Sequence, residues 1–313
     1  MKKYNLSILV ILLISLITGS VNAQQNISQA GYYHLSIGDF EVIALSDGTV
    51  PVQAKELLNN DKKIPALLKK EFLSDTVETS INTYLIRTGK KLILLDAGSG
   101  NLFGSQFGGA LIKSFEKAGF KPEDVTDILI THIHLDHTGG LSLDGKMIFP
   151  NATIHINQKE TDFWKIHEKE TAADSRGIFS NRQSYLNFKI YLDSGKVKTF
   201  KGDTTLFPGL STHEYAGHTV GHTIYAIESK GKQLVFWGDL IHVAAVQFSG
   251  AEIPNEYDFD KVKAAVQRKK AYGQAAAGGY LVAADHISFP GIGHVRTAVN
   301  GYVWVPVNFG AEK

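Results

Sequence analysis

The stretch VTDILITHIHLDHTGG, residues 125–140, joins an apolar run to three histidines and an aspartate. The apolar part reads as a buried strand, and its end carries His132, His134, Asp136 and His137. Extended chain places alternate residues on one side, so His132 and His134 share a face. Asp136 and His137 follow as the chain turns toward a helix, with Thr138-Gly139-Gly140 supplying the tight geometry. A catalytic zinc takes about three protein ligands plus water, so four candidates overfill one open site and point to two metals. The 313 residues include no cysteine, which excludes disulfides and thiolate ligands together. Nitrogen and oxygen donors of this kind suit zinc, with manganese, iron and cobalt as alternatives.

Two such sites need ligands from elsewhere. AGHTVGH offers His218 and His222, FWGDL offers Asp239, and AADH offers Asp285 and His286, each at the end of a predicted strand. Around these, GYYHLSIGDFEVIALSDGTV reads as a hairpin, residues 55–78 as a short helix and surface loop, and NTYLIRTGKKLILLDAG as two strands closed by Asp96. A helix ends at Gly119, another covers QKETDFWKIHEKETAAD, and a third covers YDFDKVKAAVQRKKAYGQAAAGG. Residues 175–195 are polar with scattered aromatics and read as a lid or connector. Hairpins and strand–helix units occur before and after it, a pattern that fits two mixed sheets packed together with helices outside.

The chain opens with MKKYN, an apolar run LSILVILLISLITG, and small residues at Val21 and Ala23. This predicts a signal peptide, residues 1–23, and a periplasmic or secreted product. The run is shorter than the roughly 20 residues that span a bilayer, so an uncleaved anchor is the lesser reading and no stable membrane anchor is expected. Lys and Arg number 32 against 31 Asp and Glu, which gives no basic surface for nucleic acid. The run Arg268-Lys269-Lys270 reads as a solvated helix face.

Together these residues resemble the metallo-β-lactamase-fold metallohydrolases, marked by a His-x-His-x-Asp-His run and a distant His, Asp and His. GYYHLSIGDFEVIALSDGTV, ETSINTYLIRTG, NLFG, ITHIHLDHTGG, QKETDFW, GDLIHVAAVQF and ISFPGIGHVR resemble the branch containing methyl parathion hydrolase and secreted N-acyl homoserine lactone lactonases. The resemblance implies an α/β fold, an αββα sandwich of two mixed sheets, as one domain over residues 24–313 with halves joined near 175–195. It implies that His132, His134 and His218 hold one zinc, that Asp136, His137 and His286 hold another, and that Asp239 bridges them. His222 is then structural, and Asp96 fixes a ligating imidazole through a hydrogen bond. Phe103, Trp164 and Phe179 resemble pocket aromatics of the organophosphate hydrolase. His242 stands where related lactonases carry tyrosine and that hydrolase carries leucine. It either donates to a substrate carbonyl or lines the wall. A homodimer is a further implication.

Two metals that share a hydroxide lower the pKa of bound water toward neutrality, and that oxygen attacks a carbonyl or phosphoryl centre. Asp136 is suited to carry the proton to the leaving oxygen. The expected reaction is the opening of lactone rings, N-acyl homoserine lactones first, a quorum-quenching activity on a small molecule. An organophosphate or aryl-ester hydrolase is the alternative, and a non-catalytic zinc-binding periplasmic module the non-enzymatic one. His34, His155, His167, His213 and His294 are expected outside the site.

Overall fold

Apolar residues at period two become two seven-stranded sheets in a computed structural model of the chain. The structure describes residues 29–104, 106–169, 178–308 and 310, the side chains of 178–181 excepted. The expected signal peptide, residues 1–23, therefore lies outside the described residues. No helix among them is long and apolar enough to cross a membrane.

In chain order the first strands are β1 (Tyr32–Ile37), β2 (Phe40–Gln53), β3 (Thr76–Thr88), β4 (Lys91–Leu95) and β5 (Asp127–Leu129). A small hairpin of β6 (Ser142–Leu143) and β7 (Lys146–Met147) precedes β8 (Thr153–Asn157) and β9 (Val197–Phe200). The first sheet runs β1-β2-β3-β4-β5-β8-β9, antiparallel as far as β4 and parallel from there. The second sheet follows sequence order through β10 (Thr204–Phe207), β11 (Leu210–Glu214), β12 (Thr223–Ser229), β13 (Lys232–Phe236), β14 (Leu281–Ala283), β15 (Ile292–Ala298) and β16 (Gly301–Pro306). Only its β13–β14 pair is parallel, with the helix Lys261–Gly278 as the crossover.

Alternation along each strand sends one set of side chains between the sheets and the other under the helices. In β2, Val42 and Ala44 meet Tyr225, Ile227 and Phe236 of the second sheet. Ile43 and Leu45 face the opposite way, in a core with Phe115, Trp164, Tyr185, Phe188 and Tyr191. The outer face of the second sheet buries Val235 and Val282 against Ala271, Tyr272 and Ala275 of the crossover helix. The layers are therefore helix, sheet, sheet, helix, as the sequence predicts.

Three expectations need correction. The polar stretch 175–195 is not an irregular connector from Ile178 onward, because Ile178–Asp193 is one 16-residue helix. Its buried residues Ser184, Tyr185, Asn187, Phe188 and Tyr191 recur at helical spacing. The period is hard to see because two of them are polar, and Asn187 Nδ2 donates to the Gly139 carbonyl at 2.6 Å. Nor do the halves join there. β9 still adds to the first sheet, and the chain changes sheets between Phe200 and Thr204. Finally, Arg268 is 1% exposed, so the basic run is not uniformly solvated.

Candidate metal centre

The ionisable cluster gathers where strands end. Past β5 the chain bends at Thr131, is extended at His134 (φ −128°, ψ 172°) and then makes one helical turn, Leu135–Thr138, which carries Asp136 and His137. From the second sheet, His218 and His222 occupy the β11–β12 loop, Asp239 follows β13, and Asp285 and His286 follow β14. Gly238, ahead of Asp239, has φ +54°, and a Cβ there would stand 2.8 Å from His222 Nε2. Only glycine lets the turn present Asp239 so close to that ring.

The two oxygens of Asp239 divide the cluster. Its Oδ2 lies 3.2 Å from His218 Nε2, 3.1 Å from His242 Nε2 and 3.6 Å from His132 Nε2. Its Oδ1 lies 3.1 Å from His137 Nε2 and 3.0 Å from His286 Nε2. His134 Nδ1 stands 3.1 Å from His218 Nε2, and Asp136 contacts His286 and His137 at 3.5 and 3.6 Å. His132, His134, His218 and Asp239 form one group of possible ligands, and Asp136, His137 and His286 a second.

These residues fit divalent metal. Donors bonded at about 2.0–2.1 Å around a tetrahedral ion stand about 3.3 Å apart, the range seen here. His132 Nε2 and His137 Nε2 are buried without a hydrogen-bond partner among the described residues, as free lone pairs aimed at an ion would be. Their opposite ring nitrogens are engaged. His137 Nδ1 donates to Asp96 Oδ2 at 2.8 Å, His218 Nδ1 to Asp258 Oδ1 at 2.9 Å, and His286 Nδ1 to the Ser80 carbonyl at 2.8 Å. Such bonds fix the tautomer that leaves Nε2 free to bind metal. Asp96 (φ +55°) also accepts from the Thr131 amide and hydroxyl at 2.9 and 2.7 Å, so it ties β4 to the histidine run.

Without an ion the cluster neutralises itself. Burial pulls every imidazole down, and in His132, His134, His222 (to about 3) and His242 (to about 4) it prevails. In His137, His218 (to about 9) and His286 (to about 9) the neighbouring carboxylates outweigh burial, Asp239 first among them. Burial would raise Asp239, but the charges of His137 and His286 hold it well below the usual carboxylate range. A divalent cation would replace those protons.

This fold and donor set agree with what is found in known proteins. Residues 76–275 match the model of the metallo-beta-lactamase superfamily. The chain belongs to that superfamily. A solved hydrolase of the β-lactamase superfamily, AbOPH, is 35% identical with a TM-score of 0.83, covering 91% of this chain and all of its own. AidC, described as a dizinc quorum-quenching lactonase in complex with a product, is 29% identical with a TM-score of 0.80, covering 90% of this chain and 99% of its own. An N-acyl homoserine lactonase of Bacillus cereus is 28% identical over 170 residues, 49% of this chain and 60% of the relative. The lactamase-like protein adaB of Aspergillus niger is 30% identical over 142 residues, 44% of this chain and 42% of the relative. The chain thus spans at most 60% of the length of these two curated relatives.

Within this superfamily member, the remaining expected site residues fall in different places. His222 stands behind the cluster: its Nε2 accepts from the Asp239 amide at 3.1 Å. His242 is 4% exposed, its ring stacked 4.6 Å from that of His286 and its amide bonded to Gln247. Trp164 is 3% exposed and stacks on Tyr185 in the first-sheet core. Phe103 is half-buried in the loop after β4, and the Phe179 side chain lies outside the described residues. His34, His155, His213 and His294 bond to other partners, away from the cluster.

Sequence reasoning misses Asp258 and Arg268. Asp258 Oδ2 accepts from Arg268 Nη2 at 3.1 Å while Oδ1 holds His218, and Arg268 also donates to the carbonyls of Leu240, Ala251 and Ile253. An aspartate in YDFD and an arginine in a basic run carry no signal of such burial.

Proposed function

We propose that this chain is a metal-dependent hydrolase that opens lactone rings, with N-acyl homoserine lactones as substrates and two zinc ions as cofactors. The observation that carries the reading is the division of Asp239, whose oxygens face two separate histidine groups within 3.6 Å. The likeness to AidC over nearly the whole chain supports the substrate class. Two zinc ions held there would supply activated water at neutral pH and polarise an ester carbonyl.

The protein's own groups do the rest. His132, His134 and His218 would hold one ion, Asp136, His137 and His286 the other, with Asp239 between. Burial of these side chains keeps bulk water from competing for the reacting atoms. Asp136 has 16% of its side chain exposed, against 3% for Asp239, so its carboxylate is the one open to substrate. It takes the proton of the attacking water and gives it to the ring oxygen as the C–O bond breaks. His242 donates a hydrogen bond to the acyl carbonyl as negative charge develops on it.

Export follows from reading residues 1–23 as a cleaved leader, and protein recovered from the periplasm or medium is expected to begin at Gln24. A homodimer is expected on sedimentation. The activity is tested by comparing kcat/KM for acyl homoserine lactones, aryl lactones and methyl paraoxon on one zinc-loaded preparation. Lactones should lead, chelation should abolish turnover, and zinc should restore it. A tenfold preference for the phosphotriester would replace this reading with the organophosphate one, and binding of zinc without any turnover would leave a metal-binding module.

A further inference from the structure

Glu160 lies in the first turn of the helix Gln158–His167 and is 0% exposed. Removing a carboxylate from water costs several kcal/mol unless its oxygens are bonded, and an apolar residue would fill this space more cheaply. The bonds it makes go to the two ligand-bearing loops. Oε2 accepts from the Ile133 amide at 3.1 Å, and Ile133 sits between His132 and His134. Oε1 accepts from the Thr219 hydroxyl at 2.5 Å and the Gly221 amide at 2.8 Å, the residues that follow His218 and precede His222. One carboxylate thus reaches the first sheet with one oxygen and the second sheet with the other. Gly221 makes the approach possible, since a Cβ there would stand 3.0 Å from the Glu160 amide nitrogen.

We propose that Glu160 is a positioning residue that locks the loop of His132 and His134 against the loop of His218, at the separation one shared metal ion requires. The two loops are otherwise carried by different sheets. Holding them through a helix that packs on the first sheet ties the 3.1 Å spacing of His134 Nδ1 and His218 Nε2 to the sandwich itself. The inference rests on the metal reading of the cluster and does not depend on the substrate.

The test is zinc binding by Glu160→Gln and Thr219→Val, read by chelator competition and by the visible spectrum of the cobalt form. Glutamine keeps the shape but must turn an NH2 group toward one of the two loops, breaking the link. Glu160→Gln is expected to weaken one zinc equivalent about 10–100-fold, to shift the cobalt spectrum, and to leave the other equivalent within about threefold. The weakened equivalent should be the one that survives in a His286→Ala background. Thr219→Val removes one bond and should weaken the same equivalent by less, and it decides the matter alone if Glu160→Gln fails to fold. Unchanged zinc affinities and cobalt spectra in a folded variant, or equal weakening of both equivalents, would overturn the proposal even if thermal stability fell. Wild-type protein that binds two zinc ions without opening lactones would sink the proposed activity and leave this positioning role intact.

Discussion

The backbone amide of Asp239 donates to Nε2 of His222 at 3.1 Å, so the second histidine of AGHTVGH serves the metal cluster from behind. An acceptor at Nε2 requires the neutral ring with its proton on Nδ1, and burial holds His222 down to about 3, neutral at every working pH. His222→Ala leaves a buried amide unpaired, at a cost of about 1–3 kcal/mol. The expected result is a lower melting temperature and weaker zinc affinity, with two equivalents still bound at saturating zinc. Loss of a full equivalent at saturation would make His222 a ligand. His222→Gln offers a carbonyl acceptor and should recover part of the stability.

Asp96 lies one step outside the ligands, on His137 Nδ1 at 2.8 Å. Asp96→Ala removes the acceptor that fixes the tautomer of His137, and zinc affinity should fall about 10–100-fold. Far-UV circular dichroism should stay close to wild type because neither sheet loses a strand. Full zinc occupancy at limiting metal would show that Asp96 is only the turn that its φ of +55° also makes it.

The reach of sequence reasoning here follows from distance along the chain. His132, His134, Asp136 and His137 are legible because they crowd six positions, and no soluble core uses that density. Asp239 and His286 become legible once strand ends are placed, since each follows an apolar run, and His218 through the paired histidines of AGHTVGH. Glu160, Asp258 and Arg268 are not, because each is a lone charged residue in a helix or loop, and the partners that tie it to the site lie 10 to 61 positions away. The helix Ile178–Asp193 hides for a related reason: its inward face mixes Ser184 and Asn187 with aromatic residues, so apolar period alone does not find it.

Asp258 couples this hidden network to acid stability. Burial would raise its pKa, but the hydrogen bond from His218 and the charges of His218 and Arg268 bring it to about 2. The folded value lies below the ordinary value of about 3.9, so the contribution is fully present above that pH and is lost as pH falls through about 2. It amounts to roughly 2–3 kcal/mol. Metal-free Asp258→Asn should be less stable than wild type at pH 6, and the gap should narrow toward pH 2 in urea titrations. A gap independent of pH would mean that the carboxylate is not ionised in the fold. Arg268→Met should also lower stability, because it takes the cation from a buried carboxylate that then keeps only His218 and the Asn255 amide.

His242 is where the reaction and the metal cluster can be separated. Its Nε2 stands 3.1 Å from Asp239 Oδ2, yet burial lowers its pKa to about 4, so the ring is neutral through the physiological range. A neutral imidazole donates from one nitrogen, and the Asp239 carboxylate beside Nε2 places the proton there. His242→Leu removes the donor and keeps the bulk. Lactone kcat/KM should fall about 100-fold, in the range found for loss of one oxyanion donor, while two zinc equivalents remain. The loss should be the same from pH 6 to pH 8, because the wild-type ring does not titrate there. Phosphotriester turnover should hold or rise as the wall becomes apolar. Equal loss of zinc and of lactone turnover would instead place His242 among the ligands, and no change in either substrate would leave it a wall residue.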